Sequence, residues 1–318
     1  MTDSKIHSIN TSTSDSRNIK FTPYIWLCGI TAALAGFSSG FNGAAPNTPE
    51  SVIRHCDLSQ YDDSGLPACL PMSSSTWGLA VAILAIGGLV GGLGAGPAAN
   101  RFGRKWTLLF NNFFFIAGAI LIATATTVAQ FVAGRVIIGI ACGVGSVVAP
   151  MYVAEIATDG ARGVLGTMYQ FLLAIGLLAA NCAGLGLSNI PGWRYLFGIA
   201  IIPPILQVIL LSFCTETPSY LLSKNKVKEA RIALQKLRAG CVIDNEFDEL
   251  TSAAHKDDTS NETLNIIQVL KDDRLRGLFL VAMVIHAYQQ LSGINSVVFY
   301  STNIFNDIFG VDNSHSSN

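Results

Sequence analysis

The sequence predicts an all-α integral membrane protein, and three observations carry that reading. The chain is 50% hydrophobic and only 13% charged over 318 residues, against about a quarter charged in an ordinary soluble domain. Its mean hydropathy is +0.45. Seven apolar runs are each long enough to cross a bilayer as a helix, for which about 20 residues suffice.

Residues 1–20, MTDSKIHSINTSTSDSRNIK, are polar, rich in Ser and Thr and without an apolar h-region. They read as a disordered cytosolic tail rather than a cleavable signal peptide. The apolar runs follow at 22–43, 76–98, 106–127, 131–153, 163–187, 192–213 and 277–300. The first six make an N-terminal transmembrane bundle over 21–213, and the seventh lies in 276–318 with a short tail.

Lys and Arg set the orientation. With the N-terminus inside, seventeen of the twenty basic residues fall in cytosolic segments, among them Arg101, Arg104, Lys105, Arg162 and the basic residues of 224–276, while outer segments keep Arg54 and Arg194. That is a strong positive-inside bias, and it argues against a rhodopsin-type receptor, whose N-terminus lies outside. Arg135, near the outer end of span four, is expected to snorkel to the interface in a structural role.

The first outer loop, 44–76, carries Cys56 and Cys69 in an oxidising location where they can pair, although spacing alone does not prove connectivity. Glycines crowd span two at 87, 88, 91, 92, 94 and 96, and span four at 139, 143 and 145. Small residues let helix backbones approach where lipid supplies no hydrophobic driving force. Both a static close packing and a bundle whose helices slide fit that pattern.

Between spans six and seven the composition changes, and 214–275 reads as a small cytosolic helical module. Its clearest helix is VKEARIALQKLRAG at 227–240, with Ala230, Ala233, Leu234 and Leu237 on one stripe. Gly240 marks its stop, and 256–262 reads as a linker.

Span seven is the unusual one. HAYQQLSGINSVVFYST at 286–302 places Gln289, Gln290, Ser292 and Asn295 at membrane depth. Adjacent residues on a helix point ~100° apart, so one neighbouring helix cannot cover both carboxamides. Polar groups at this depth face a bundle interior or a water-filled cavity, and Gly293 is a weak point in the helix. The stretch therefore reads as a broken, substrate-contacting helix; polar glue between packed helices is the other reading. His286 is a packing or polar-lining residue.

Several motifs stand in a fixed order. Asn100, Arg101, Phe102, Gly103, Arg104 and Lys105 join spans two and three. Gly134 and Arg135, then Pro150, Met151, Tyr152, Val153, Ala154 and Glu155, bracket span four, followed by Arg162, Gly163 and TMYQ at 167–170. Gly192, Trp193 and Arg194 open span six, Thr215, Glu216, Thr217 and Pro218 close it, and QQLSGIN fills span seven. Together they resemble the sugar porter family of the major facilitator superfamily, nearest in character to the facilitative glucose transporters, over about residues 21–310.

The resemblance implies a major-facilitator-like six-helix N-terminal bundle, a cytosolic helical insert and a seventh transmembrane helix. It implies a hexose transporter of glucose type working by alternating access. Gln170, Gln289, Gln290 and Asn295 are the substrate-binding residues it points to. Neutral carboxamides suit that task, since they donate to and accept from sugar hydroxyls without the desolvation cost of a charge. Gating falls to Phe299 and Tyr300 on the outer side, where Phe299 lacks the usual tyrosine hydroxyl. On the cytosolic side it falls to Arg101, Arg104, Glu155, Arg162 and Glu216. Solvated loop charges are the bland alternative for that cytosolic set, worth ~0–1 kcal/mol per exposed pair. Where proton-coupled relatives carry an Asp in span one, this chain has Asn42, which cannot exchange a proton, and facilitated diffusion follows. The Arg usual after Thr217-Pro218 is replaced by Ser219.

Sugar porters have twelve spans, so the resemblance implies a chain truncated after the seventh and inactive alone. The alternatives are a non-transporting sugar sensor, disfavoured by the short outer tail, and an interaction subunit that assembles with a full-length homologue or a missing C-terminal half. The expected partners are a monosaccharide and the lipid bilayer, in the plasma membrane, with no nucleic acid and no cofactor. No nucleotide loop, metal cluster or nucleophile triad points to an enzyme.

Overall fold

A computed structural model describes residues 22–54, 65–238, 243–260 and 272–294. Asn295, Phe299, Tyr300, Cys56, Gly240 and the tail 1–20 lie outside the described residues. Twelve α-helices and no strand occur among the described residues.

Helix α1, Pro23–Ala44, starts where Thr22 Oγ1 accepts from the Ile25 N–H at 3.3 Å and Pro23 presets the first turn. A short α2, Glu50–Arg54, is held by a 2.6 Å ion pair between its ends. Helices α3, Ser74–Phe102, and α5, Val128–Ile156, are capped in the same way by Ser73 and Thr127. Between them runs α4, Arg104–Ala123, and α6 follows over Asp159–Leu187. The expected sixth span is made of two helices, α7 Gly192–Ile199 and α8 Ile202–Phe213. The reason is local: Pro203 and Pro204 bring no N–H to the ladder, and the chain tightens there through an Ile201 N–H to Gly198 O bond of 3.1 Å. As one stretch, Gly192–Phe213 still has the length and composition to span a membrane, as do α1, α3, α4, α5 and Gly160–Leu187.

Two glycine seams bring helices into backbone contact. A Cβ at Gly91 would collide with the carbonyl oxygen of Ile140, and one at Gly143 with that of Gly88, so α3 and α5 touch without side chains between them. Gly40 and Gly176 play the same part between α1 and α6, meeting the carbonyls of Leu173 and Phe37. These contacts favour static close packing over sliding within the bundle, because a side chain at either seam has nowhere to go. Other glycines of α3, such as Gly94 and Gly96, face open space.

The interior has two apolar centres. One holds Trp77, Phe131, Trp193 and Phe197; the other holds Ile25, Leu108, Tyr152, Val153, Ile156 and Leu211 beneath the end that carries Arg101, Arg104 and Lys105, called here the basic end. Outward faces are apolar, with Leu89 and Leu93 on α3 and Trp106, Phe110 and Phe113 on α4 exposed, as lipid contact requires.

At the basic end sit α9 Pro218–Ser223, α10 Val227–Leu237 and α11 Asp244–Ser260. The stripe of Ala230, Ala233 and Leu234 is buried against Leu221, Leu222, Ile243 and Phe247. Residues 256–260, expected in a linker, belong to α11. That helix runs on because Asp244 and Glu246 stand in its first turn, where acids suit the helix dipole, and Phe247, Leu250 and Ala254 pack on its apolar side. The last helix, α12, Asp273–Leu291, stops one turn into the polar stretch, and Gly293 turns with φ 74°. The weak point read at Gly293 is thus where the helix ends.

A candidate functional site at the basic end of the bundle

The last turn of α5 bonds to three other parts of the chain. Tyr152 Oη donates to the Thr215 carbonyl at 2.7 Å. Glu155 is paired with Arg104, Nη2 to Oε1 at 2.9 Å and Nε to Oε1 at 3.0 Å, with both side chains largely covered. The Ile156 carbonyl accepts from Arg238 Nη1 at 3.0 Å. The carboxylate of Glu155 thus takes Arg104 from the α3–α4 turn; Arg162 is exposed on the first turns of α6.

Glu216 works differently from the other charges. Gly103, with φ 95°, offers α4 no side-chain cap, so the first N–H groups of α4 need an acceptor from elsewhere. Glu216 supplies it. Its Oε1 accepts from the main-chain N–H of Arg104 and of Lys105, both at 3.1 Å, and Oε2 accepts from Lys105 at 3.2 Å. A carboxylate at a helix N-terminus also meets the positive end of the dipole. Burial pushes the Glu216 carboxyl up from its ordinary value, and the three N–H donors of Lys105, Thr217 and Arg104 oppose that push. The Lys105 ammonium reaches across to the Cys214 carbonyl at 2.7 Å at the end of α8. Arg101 contributes its carbonyl, which accepts from Tyr220 Oη at 3.0 Å, while its guanidinium is exposed over the Phe102 ring. Arg104, Glu155 and Glu216 are therefore brought together; Arg101 joins through its main chain.

Arg135 does not snorkel. Its side chain is fully buried, with Nη1 donating to the Asn42 carbonyl at 2.7 Å and Nη2 to the Val81 carbonyl at 3.4 Å. The expectation failed because a guanidinium can satisfy itself on carbonyls inside the bundle, and the closing turn of α1 offers one. Asn42 is 1% exposed and uses its Nδ2 on Ser38 O at 2.9 Å. Asn42 Oδ1 and Arg135 Nε are both buried without a hydrogen-bond partner. Away from the basic end, Arg194 holds the carbonyls of Ala123 at 2.8 Å and Pro67 at 2.7 Å, and Cys69 is disulfide-bonded.

Gln170 is exposed on α6, and Gln289 and Gln290 are exposed on α12. Tyr152, Tyr220, Lys105 and Arg238 are the residues that sequence reasoning passed over as functional. Tyr152 stood three residues before Glu155, one helical turn away, which was signal enough; Arg238 showed only as a basic residue closing an amphipathic helix.

Fold and site together define a multi-pass, all-α membrane protein of the major facilitator architecture. A family model described as "Sugar (and other) transporter" matches residues 28–316. The chain belongs to this family. It is 35% identical over 298 residues to the horse (Equus caballus) solute carrier family 2, facilitated glucose transporter member 5, covering 90% of this chain and 58% of that protein. It is 33% identical to member 1 from chicken (Gallus gallus), covering 90% and 60%. Among solved structures, the proton:xylose symporter XylE bound to 6-bromo-6-deoxy-D-glucose superposes with a TM-score of 0.75 at 25% identity, covering 91% of this chain and 64% of that one. A partially occluded inward-open XylE from E. coli gives 0.72 at 26%, covering 90% and 66%. The chain thus spans about three fifths of the curated relatives it matches.

Proposed function

We propose that this chain supplies the N-terminal half, and the first helix of the second half, of a monosaccharide carrier that works by alternating access. The observation that carries the reading is the knot of Arg104, Glu155 and Glu216, which joins the α3–α4 turn, the end of α5 and the segment after α8 on a major facilitator fold. Such a knot can hold one end of the bundle shut and be broken to open it. The basic end faces the cytosol in this reading, on the positive-inside argument, so an intact knot belongs to the outward-facing state. Arg101 and Arg162 line the same end, the membrane is the plasma membrane, and 214–275 is a cytosolic module.

The substrate is a hexose of glucose type. Gln170, Gln289, Gln290 and Asn295 hydrogen-bond its hydroxyls, and Phe299 with Tyr300 closes the outer side. The printed names of the relatives, facilitated glucose transporters, support that class. Asn42 beside Arg135 supports facilitated diffusion, because no carboxylate stands there to carry a proton.

Rocking needs two bundles about a central site, so residues 1–318 by themselves are not sufficient for transport. The test is uptake of labelled glucose in transporter-null cells. Expression of residues 1–318 alone should match empty vector, and co-expression with the C-terminal part of a facilitated glucose transporter should raise uptake, with Gln170→Ala reducing it and collapse of the proton gradient leaving it unchanged. Uptake by residues 1–318 alone, or none from the pair when both pieces reach the membrane, would overturn the proposal.

A further inference from the structure

Two buried thiols meet near the basic end, and nothing in the gate uses them. Cys28 lies on the second turn of α1 and Cys214 directly follows α8; both are free, and they are 0% and 3% exposed. Their sulfurs are hydrogen-bonding neighbours inside the apolar centre that holds Ile25, Tyr152 and Leu211. The register that brings them together is fixed on both sides. Gln207 Nε2 of α8 donates to the Thr31 and Ala32 carbonyls of α1 at 2.8 Å and 3.2 Å, and Tyr24 Oη donates to the Phe213 carbonyl at 3.0 Å.

A buried thiol in apolar surroundings is ordinarily inert. This pair differs because each sulfur has the other for a partner. The bond to Cys28, then burial, pushes the Cys214 thiol up from its ordinary value against the pull of the nearby Lys105 ammonium, so Cys214 is the sulfur that keeps its proton. A hydrogen bond to the charged form favours that form, which suits Cys28 to act as the thiolate. Residues 214–217 form no helix, and this is where a small reactant can reach the pair.

We propose that Cys28 and Cys214 are a thiol–disulfide modification site, oxidised by exchange with a low-molecular-weight disulfide. The Cys28 thiolate attacks one sulfur of RS–SR and expels RS⁻, which takes up a proton. The Cys214 sulfur gives up its proton and displaces the second RS⁻ from Cys28. Two protein thiols and RS–SR thus become one protein disulfide and two RSH. Cys214 stands two residues before Glu216, so the disulfide staples the start of α1 to the segment whose carboxylate caps α4. With the basic end in the cytosol, as in the reading above, the pair rests reduced and the staple forms under oxidising stress.

The experiment treats the 318-residue chain in detergent micelles with 2-hydroxyethyl disulfide, quenches in acid, alkylates the remaining thiols after denaturation and maps every cysteine by peptide mass spectrometry. Cys28 and Cys214 should lose their alkylation together and appear as one linked peptide that dithiothreitol separates, while the exposed Cys182 carries only the small adduct. The unfolding midpoint should rise with the link, because a cross-link between distant parts of the chain restricts the unfolded state. Cys28→Ser and Cys214→Ser should each abolish both the linked peptide and the rise. Full alkylation of both thiols after Cys182 has reacted would make them inert packing residues and overturn the proposal. Small adducts on the two sulfurs without a link, or Cys214 linked to Cys241 in place of Cys28, would overturn it too. None of these readouts involves transport, so failure here leaves the carrier reading standing.

Discussion

The Arg104 guanidinium lies 2.9 Å from the Glu155 carboxylate and joins two elements 51 residues apart in sequence, the turn after α3 and the last turn of α5. The pair is neither a solvated surface bridge nor a dry one, with side-chain exposures of 13% and 18%. Exposed pairs contribute ~0–1 kcal/mol, and breaking a buried one costs ~3–5 kcal/mol. Arg104→Gln should fall between, at ~1–3 kcal/mol of destabilisation, read as a lowered midpoint of thermal unfolding in detergent. Arg101→Gln, whose guanidinium is exposed, should leave the midpoint within ~0.5 kcal/mol. Equal losses from the two variants would mean that Arg104 acts as a general surface charge.

Glu216 gives the bundle a pH dependence with a definite sign. Its carboxyl is raised from the ordinary value of 4.5 by burial, so the folded protein holds this proton more tightly than the unfolded chain does. Stability from this group is full below the unfolded value and is lost as pH rises through the raised folded value. Glu216→Gln cannot titrate. Its unfolding midpoint relative to wild type should therefore climb as pH rises from about 4.5 and level off above the folded value. A difference that is flat across that window, or falls, would show that the N–H donors outweigh burial.

The glycine seams predict a sharp contrast within one helix. Gly91→Val puts a branched side chain against the Ile140 carbonyl, which is backbone and cannot move aside. Overpacking of this kind costs ~1–3 kcal/mol or more. Gly94→Ala faces open space and should be neutral or slightly stabilising, since Ala outranks Gly in a helix by ~1 kcal/mol. Unfolding of α3 variants in graded detergent mixtures measures both. A neutral Gly91→Val would place the α3–α5 contact elsewhere.

Much of this arrangement was legible in the sequence, and the misses share a cause. The six spans, the buried stripe of α10 and the break at Gly293 follow from patterns within a few residues of one another. The grouping of Arg104, Glu155 and Glu216 was legible from their common end of the bundle. What local pattern hides is which atoms meet. Glu216 reads as one more network charge until its carboxylate is seen on the N–H groups of α4. Arg135 reads as a snorkelling residue until α1 brings the Asn42 carbonyl to it. Arg238 carries no motif at all, because its partner Ile156 is 82 residues away.

The contact between Asn42 and Arg135 yields the last prediction. A guanidinium that is fully buried keeps its charge here on two main-chain carbonyls, while its Nε and the neighbouring Asn42 Oδ1 have no hydrogen-bond partner. Buried charge without an opposite charge is costly, and an isosteric carboxylate at position 42 supplies one with no change in volume. Asn42→Asp should raise the unfolding midpoint at neutral pH, by the equivalent of ~1–3 kcal/mol for a charge-assisted bond. The gain needs an ionised Asp, so it should vanish in acid, giving this variant a pH dependence opposite in sign to the one that Glu216 supplies. In the two-piece uptake assay the same substitution should make glucose uptake depend on external pH. A variant that is less stable than wild type at every pH would mean that the carboxylate at position 42 does not reach Arg135 and that the lost Nδ2 bond to the Ser38 carbonyl dominates, and the proton-coupling argument built on this position would fall with it.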